Sequence, residues 1–119
     1  MSIAFRPRAL RRGDVWMASL DPVVGHEQGG ERPAVIVSTD PLNLGRSRLV
    51  ALAPITTRDR GSPLHVRVVP PEGGLDRISF VLCDHLRFVS QLRLRRRLGS
   101  VEPPTLWAVE GILRRLLDY

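Results

Sequence analysis

Val24-Gly25-His26-Glu27-Gln28-Gly29-Gly30-Glu31-Arg32-Pro33-Ala34-Val35-Ile36-Val37-Ser38 changes character at Pro33. Before it the chain is polar and punctuated by glycine; after it four apolar residues run together. A strand with one wet face alternates apolar and polar residues. The unbroken run Ala34-Val35-Ile36-Val37 therefore predicts a strand covered on both faces and central in its sheet. Pro33 fixes φ where the chain passes into that strand, and Gly25, Gly29 and Gly30 permit the positive φ values of a tight loop. His26, Glu27 and Gln28 sit in this loop close to Arg32, a mixture suited to holding a charged ligand.

Outward from this strand the same punctuation repeats. Residues 14–20 are bulky and apolar between Gly13 and Pro22 and read as a strand. Residues 40–46 are turn-rich, and residues 49–55 read as a third strand that Pro54 would end or confine to an edge. Residues 64–68 alternate apolar and polar, Pro70-Pro71-Glu72-Gly73-Gly74 turns the chain, and residues 78–83 pair back. Residues 86–89 and 98–101 form two further short strands, with residues 91–97 between them as a helical turn. After Pro103-Pro104-Thr105, Leu106, Val109, Ile112, Leu113, Leu116 and Leu117 recur at helical spacing, which predicts a C-terminal amphipathic helix with its stripe in the core. Many short strands and one terminal helix make a mainly β (α+β) fold, a small barrel or twisted antiparallel sheet. A length of 119 residues suits one domain over residues 1–119, with residues 1–10 the segment expected to be disordered.

Composition narrows the partner. All 18 basic residues are arginine, against 12 acidic ones, for a net charge of +6. Arg6, Arg8, Arg11 and Arg12 form one cluster, and Arg87, Arg93, Arg95, Arg96 and Arg97 another. The sign of the charge favours an anionic partner, nucleic acid foremost. The absence of lysine adds nothing, since coding bias produces it equally. Cys83 is the sole cysteine, so no intramolecular disulfide forms, and its apolar setting predicts a buried thiol in a strand interior. His26, His65 and His85 have no zinc-motif spacing, so no metal or cofactor is expected. Without an apolar run of about 18 residues and with arginines where a secretory signal needs its apolar stretch, the expectation is a soluble, cytoplasmic protein with no membrane partner. Trp16 and Phe88 are expected in the core.

Four ordered blocks then carry a resemblance: Arg12-Gly13-Asp14-Val15-Trp16, the loop and strand of residues 25–38, Ala53-Pro54-Ile55-Thr56-Thr57, and residues 79–87. In order and spacing they resemble the MazF/PemK family of toxin endoribonucleases. The resemblance implies an SH3-like β-barrel with helices packed on it, a homodimer whose joint surface forms an RNA groove, and metal-independent cleavage leaving a 2′,3′-cyclic phosphate and a 5′-hydroxyl. It also implies a toxin of a type II toxin–antitoxin pair that cuts single-stranded mRNA at specific sequences and is held by a smaller acidic antitoxin.

The chemistry suits such a site. RNA carries its own nucleophile, the 2′-hydroxyl, so cleavage needs only orientation, stabilisation of the charged phosphorane and proton exchange. By the resemblance Arg32 is the catalytic arginine; its fork suits non-bridging phosphate oxygens, while its pKa above about 12 makes it an awkward base. Thr56 matches the catalytic threonine. Thr57 points to the opposite strand face, and it is read with Gln28 as a substrate contact. Glu27 matches an acidic loop residue of some relatives, and His26 departs from the serine many relatives carry and is read also as an RNA contact; Glu27, His26 and Arg32 all stand as general-base candidates. His85 departs from the relatives' usual glutamine, which bears on base preference, and Arg87 matches a groove arginine. Two other readings stand beside this one. A CcdB-like gyrase poison shares the barrel but relies on a Trp-Gly-Ile-type tail, unlike Leu116-Leu117-Asp118-Tyr119. A non-catalytic relative would bind RNA or antitoxin without cutting.

Overall fold

The computed structural model describes residues 10–21 and 30–118. Its strands are β1 (Asp14–Ser19), β2 (Glu31–Ile36), β3 (Leu49–Thr56), β4 (His65–Val68), β5 (Ser79–Leu82), β6 (Arg87–Ser90) and β7 (Leu94–Ser100), with a short helix α1 (Asp40–Asn43) and a C-terminal helix α2 (Pro103–Leu117). Every ladder is antiparallel. The strands run in the order β4-β5-β3-β2-β1-β7, with β6 also on β3.

Residues 34–36 occupy the middle of this order, and both their faces are covered as the apolar run predicts. Val35 and Val37 join Val15, Ala51, Ala53 and Ile55 in one cluster, which α2 closes with Val109 and Ile112. Ala34 and Ile36 point the other way, into a second cluster with Ala18, Leu20, Val50, Leu52, Val89 and Leu94. Alternate residues of β2 and β3 thus feed two cores, the period-2 geometry of a strand doing the sorting. Leu10, inside the segment expected to be disordered, is buried in the second cluster, whereas residues 1–9 lie outside the described residues.

Several expectations are corrected. The sheet is not closed: among the described residues β4 and β7 are its open ends. The 3-10 turn Glu72–Gly74, which follows β4, packs against β7, and a methyl group at Gly74 would lie 2.0 Å from the Leu98 carbonyl oxygen. Pro54 does not end β3, which continues to Thr56. On one edge of β3, β6 pairs as far as Leu52 and β5 takes over from Ile55, so Pro54 falls between the two ladders, where a missing N–H interrupts neither. Of residues 91–97 only Gln91–Arg93 form a 3-10 turn; Arg95, Arg96 and Arg97 belong to β7, drawn out by pairing with β1. The α2 stripe is buried at Val109 and Ile112 and partly at Leu106 and Leu113, but Leu116 and Leu117 are exposed because the last turn passes beyond the sheet's core cluster. Phe88 is also exposed, at 64%, while Trp16 packs half-buried on the second cluster. Cys83 lies just past the end of β5 in a 3-10 turn; it is fully buried, and burial with the nearby Asp84 charge raises its pKa to about 11. No helix among the described residues is long and apolar enough to cross a membrane.

Candidate active site

The site is built where the second core cluster runs out of apolar side chains. In the β2–β3 ladder Ala34 faces Pro54 and Ile36 faces Leu52. Two residues beyond Ala34–Pro54, where that ladder ends, come Arg32 of β2 and Thr56 of β3, and strand alternation puts both on the side of Ala34 and Leu52. Across β3, Leu52 faces Arg87 of β6, so Arg87 shares this side as well. One sheet face therefore passes from Leu52 and Ala34 to Arg32, Thr56 and Arg87. Three strands supply these residues, and no local stretch of sequence contains more than one of them.

Arg32 is half-buried and faces Ala18 across the β1–β2 ladder. Its position brings a guanidinium to the rim of an apolar core, where charge is less screened than in open solvent. Thr56 is only 6% exposed, and its Oγ1 accepts a hydrogen bond from the Arg58 N–H at 3.2 Å. That bond tightens the turn after β3 and leaves the hydroxyl proton to point elsewhere. Thr57 lies just past the end of β3, in a bend, and is exposed.

Arg87 is half-buried, and its Nη1 donates to the Leu20 carbonyl oxygen at 3.1 Å. His85 sits in the 3-10 turn Cys83–His85, which packs against α2 and β3. Its Nδ1 is buried without a hydrogen-bond partner among the described residues. The fold brings Arg32, Thr56 and Arg87 to one face, with Thr57 exposed directly after Thr56. Glu27, His26 and Gln28 lie outside the described residues.

The described ends of the β1–β2 connection are tied together. Leu20 N–H donates to Gly30 O at 2.9 Å, and Gly30 N–H donates to the Asp21 carboxylate at 2.8 Å. Gly30 has φ 72°, the left-handed region expected of it; nothing crowds its α-carbon, so the backbone conformation alone requires glycine. Sequence reasoning missed Asp21 and Arg93 here. Arg93 Nη1 donates to the carbonyl oxygens of Ser19, at 3.2 Å, and of Asp21. Its only sequence signal was membership of a basic cluster, which says nothing of an acceptor more than seventy residues away.

Among the described residues no three His, Cys, Asp or Glu side chains group as metal ligands. The arrangement instead offers permanent cations and a hydroxyl. Such a set stabilises negative charge growing on a phosphate and donates hydrogen bonds to its oxygens.

Comparison with known proteins agrees with this architecture. The family described as "PemK-like, MazF-like toxin of type II toxin-antitoxin system" matches residues 11–117. A crystal structure of MazF from Deinococcus radiodurans superposes with a TM-score of 0.81 at 32% identity, covering 92% of this chain and 97% of that one. The MazF chain of a MazE–MazF crystal structure from the same organism gives 0.74 at 31% identity, with 92% and 96% covered. The Mycobacterium tuberculosis toxin MazF-mt6 gives 0.73 at 26% identity, with 88% and 96% covered.

Proposed function

The chain belongs to the PemK-like, MazF-like toxins of type II toxin–antitoxin systems, and from that premise we propose that it is a sequence-specific endoribonuclease acting on single-stranded mRNA. The carrying observation is the convergence of Arg32, Thr56 and Arg87 on one sheet face. In this reading the 2′-hydroxyl attacks the adjacent phosphorus and the P–O5′ bond breaks. A 2′,3′-cyclic phosphate and a 5′-hydroxyl result, and no metal is required. Arg32 binds the non-bridging oxygens as their charge grows and gives the leaving 5′ oxygen the proton that makes it a 5′-hydroxyl, regaining one from solvent. Thr56 donates its hydroxyl proton as a hydrogen bond to the same phosphate, leaving its lone pair to Arg58 N–H. A general base takes the 2′-hydroxyl proton; Glu27, His26 and Arg32 remain the candidates. His26, Gln28, Thr57, His85 and Arg87 are assigned to substrate contacts. The SH3-like barrel implied by the family is retained as a description of topology, with its ladder open between β4 and β7.

Two partners follow. The MazE–MazF structures and an "Endoribonuclease in complex with its cognate antitoxin from Mycobacterial species" support an antitoxin for this chain too, and a net charge of +6 suits an acidic one. A homodimer is supported by an apolar cavity of about 620 Å³ beside α2, lined in part by Leu42, Phe88, Leu113 and Leu117. Exposed large side chains around such a cavity mark an association surface.

The test is incubation of purified protein with long single-stranded RNA in EDTA. Cleavage by the wild type, lost in Arg32→Ala and Thr56→Ala, is expected. The new 5′ ends should accept a kinase-transferred phosphate without prior phosphatase treatment. Absence of wild-type cleavage, or equal cleavage by the two variants, would sink the assignment, and salt-dependent binding without cutting would point to a non-catalytic relative.

A further inference from the structure

Three successive carbonyl groups at the end of β1 accept guanidinium hydrogen bonds. Arg93 Nη1 donates to Ser19 O at 3.2 Å and to Asp21 O, and Arg87 Nη1 donates to Leu20 O at 3.1 Å. Backbone carbonyls at a strand end lack ladder partners, and a charged donor is about twice as strong as a neutral one. These arginines arrive from opposite sides in topology: Arg87 begins β6, which pairs with β3, whereas Arg93 directly precedes β7, which pairs with β1. Between them they tie the end of β1 to both halves of the sheet. The consequence reaches Arg32, because β1 is its ladder neighbour: Ala18 faces Arg32 and Ser19 faces Glu31.

We propose that Arg93 is a positioning residue for the site: with Arg87 it clamps the carbonyls of Ser19, Leu20 and Asp21, and through the β1–β2 ladder it holds Arg32 in register with Thr56. Resting on the nuclease reading, this assigns Arg93 to the protein's own backbone and not to a phosphate of the RNA. Carbonyl acceptors carry no formal charge, so the hydrogen bonds of the clamp neutralise neither arginine. Lysine is a poor replacement. The lysine side chain ends one bond short of Nη1, so its ammonium falls short of the position from which Arg93 Nη1 reaches both carbonyls.

Arg93→Lys keeps the charge and changes only the geometry, so it is the deciding variant, with Arg93→Gln beside it. Two readouts are taken on full-length protein: amide hydrogen exchange at Leu20 and Gly30, whose N–H groups close the base of the connection, and single-turnover cleavage of saturating single-stranded RNA with binding measured across a salt series. The expected result is faster exchange at both amides in Arg93→Lys, and cleavage slowed by roughly 10- to 100-fold, the scale of a small misplacement of a catalytic group. RNA affinity should change less than twofold, at an unchanged salt slope. Arg93→Gln should show the same exchange defect, which a charge-only role would not produce.

Unchanged exchange in both variants overturns the clamp. So does loosened exchange with wild-type cleavage. Cleavage restored by lysine but lost with glutamine, with a salt slope smaller by about 0.7, the value of one single-strand phosphate contact, makes Arg93 an RNA contact and overturns the proposal as well. The exchange measurement needs no RNA. If the wild type itself fails to cleave, the nuclease reading falls on that control, while the exchange still decides whether the clamp exists.

Discussion

Arg32 and Thr56 come from strands that a one-residue slip would turn to opposite faces, so their meeting depends on register as much as on identity. Thr56 has two duties in the proposed scheme, and substitutions separate them. Thr56→Val removes the acceptor of Arg58 N–H and should cost about 1 kcal/mol, read by denaturant titration. Its cleavage rate should fall far more, by roughly 100-fold or beyond. Thr56→Ser should recover most of both. If valine lowers cleavage no more than its stability loss explains, Thr56 is only a turn residue. Cys83 gives a pH-dependent prediction. Its folded pKa of about 11 lies above the ordinary 9.0 because burial disfavours the thiolate. The folded state is thus favoured fully below pH 9.0, and that advantage is lost as pH rises toward about 11. Wild type should lose stability over this window relative to Cys83→Ala, measured by denaturant titration at both ends; parallel curves would contradict it. The buried thiol was legible from Phe80-Val81-Leu82 beside it, whereas the exposure of Phe88 was not. Nothing in Arg87-Phe88-Val89 distinguishes a residue on the covered face from one on the open face.

At the scale of elements, the apolar run of β2 and the proline-led start of α2 were readable because both depend on local periodicity and dihedral limits. β7 was not readable in full, because Arg95, Arg96 and Arg97 have good helix propensity and are extended only through β1. The Gly73–Gly74 turn packs on β7. Gly74 has φ 70°, and a side chain there would meet the Leu98 backbone oxygen. Gly74→Ala should therefore lower stability by more than about 1 kcal/mol, since both the conformation and the space are wrong. A melting temperature equal to wild type would show that the turn moves away without cost. α2 is held by its buried pair, so Ile112→Ala should cost about 2–4 kcal/mol, while Leu116→Ser, at an exposed position, should cost under about 0.5 kcal/mol.

For the whole molecule, the two sheet faces divide the work. One face carries α2 and the apolar cavity with Phe88 at its rim; the other carries Arg32, Thr56 and Arg87 beyond the second cluster. The cavity face is not free of charge, since Arg12, Glu110, Arg114 and Asp118 line it beside the apolar side chains. Phe88→Glu should leave the fold intact and shift a dimer toward monomer in light scattering at micromolar concentration, because it places a charge at an apolar contact. An unchanged mass would remove that face from the interface. What the sequence determined by itself was the placing of strands β1 to β6 and of the C-terminal helix, the both-faces burial of β2, the basic balance and, through four ordered blocks, the family. Only the tertiary structure decided that the sheet stays open, that Pro54 sits between two ladders, and that Arg87 and Arg93 grip carbonyls 67 and 74 residues away at the end of β1. The division has a physical origin: periodicity, turn chemistry and composition act over a few residues, whereas register, edge closure and side-chain-to-backbone contacts exist only once distant strands have paired.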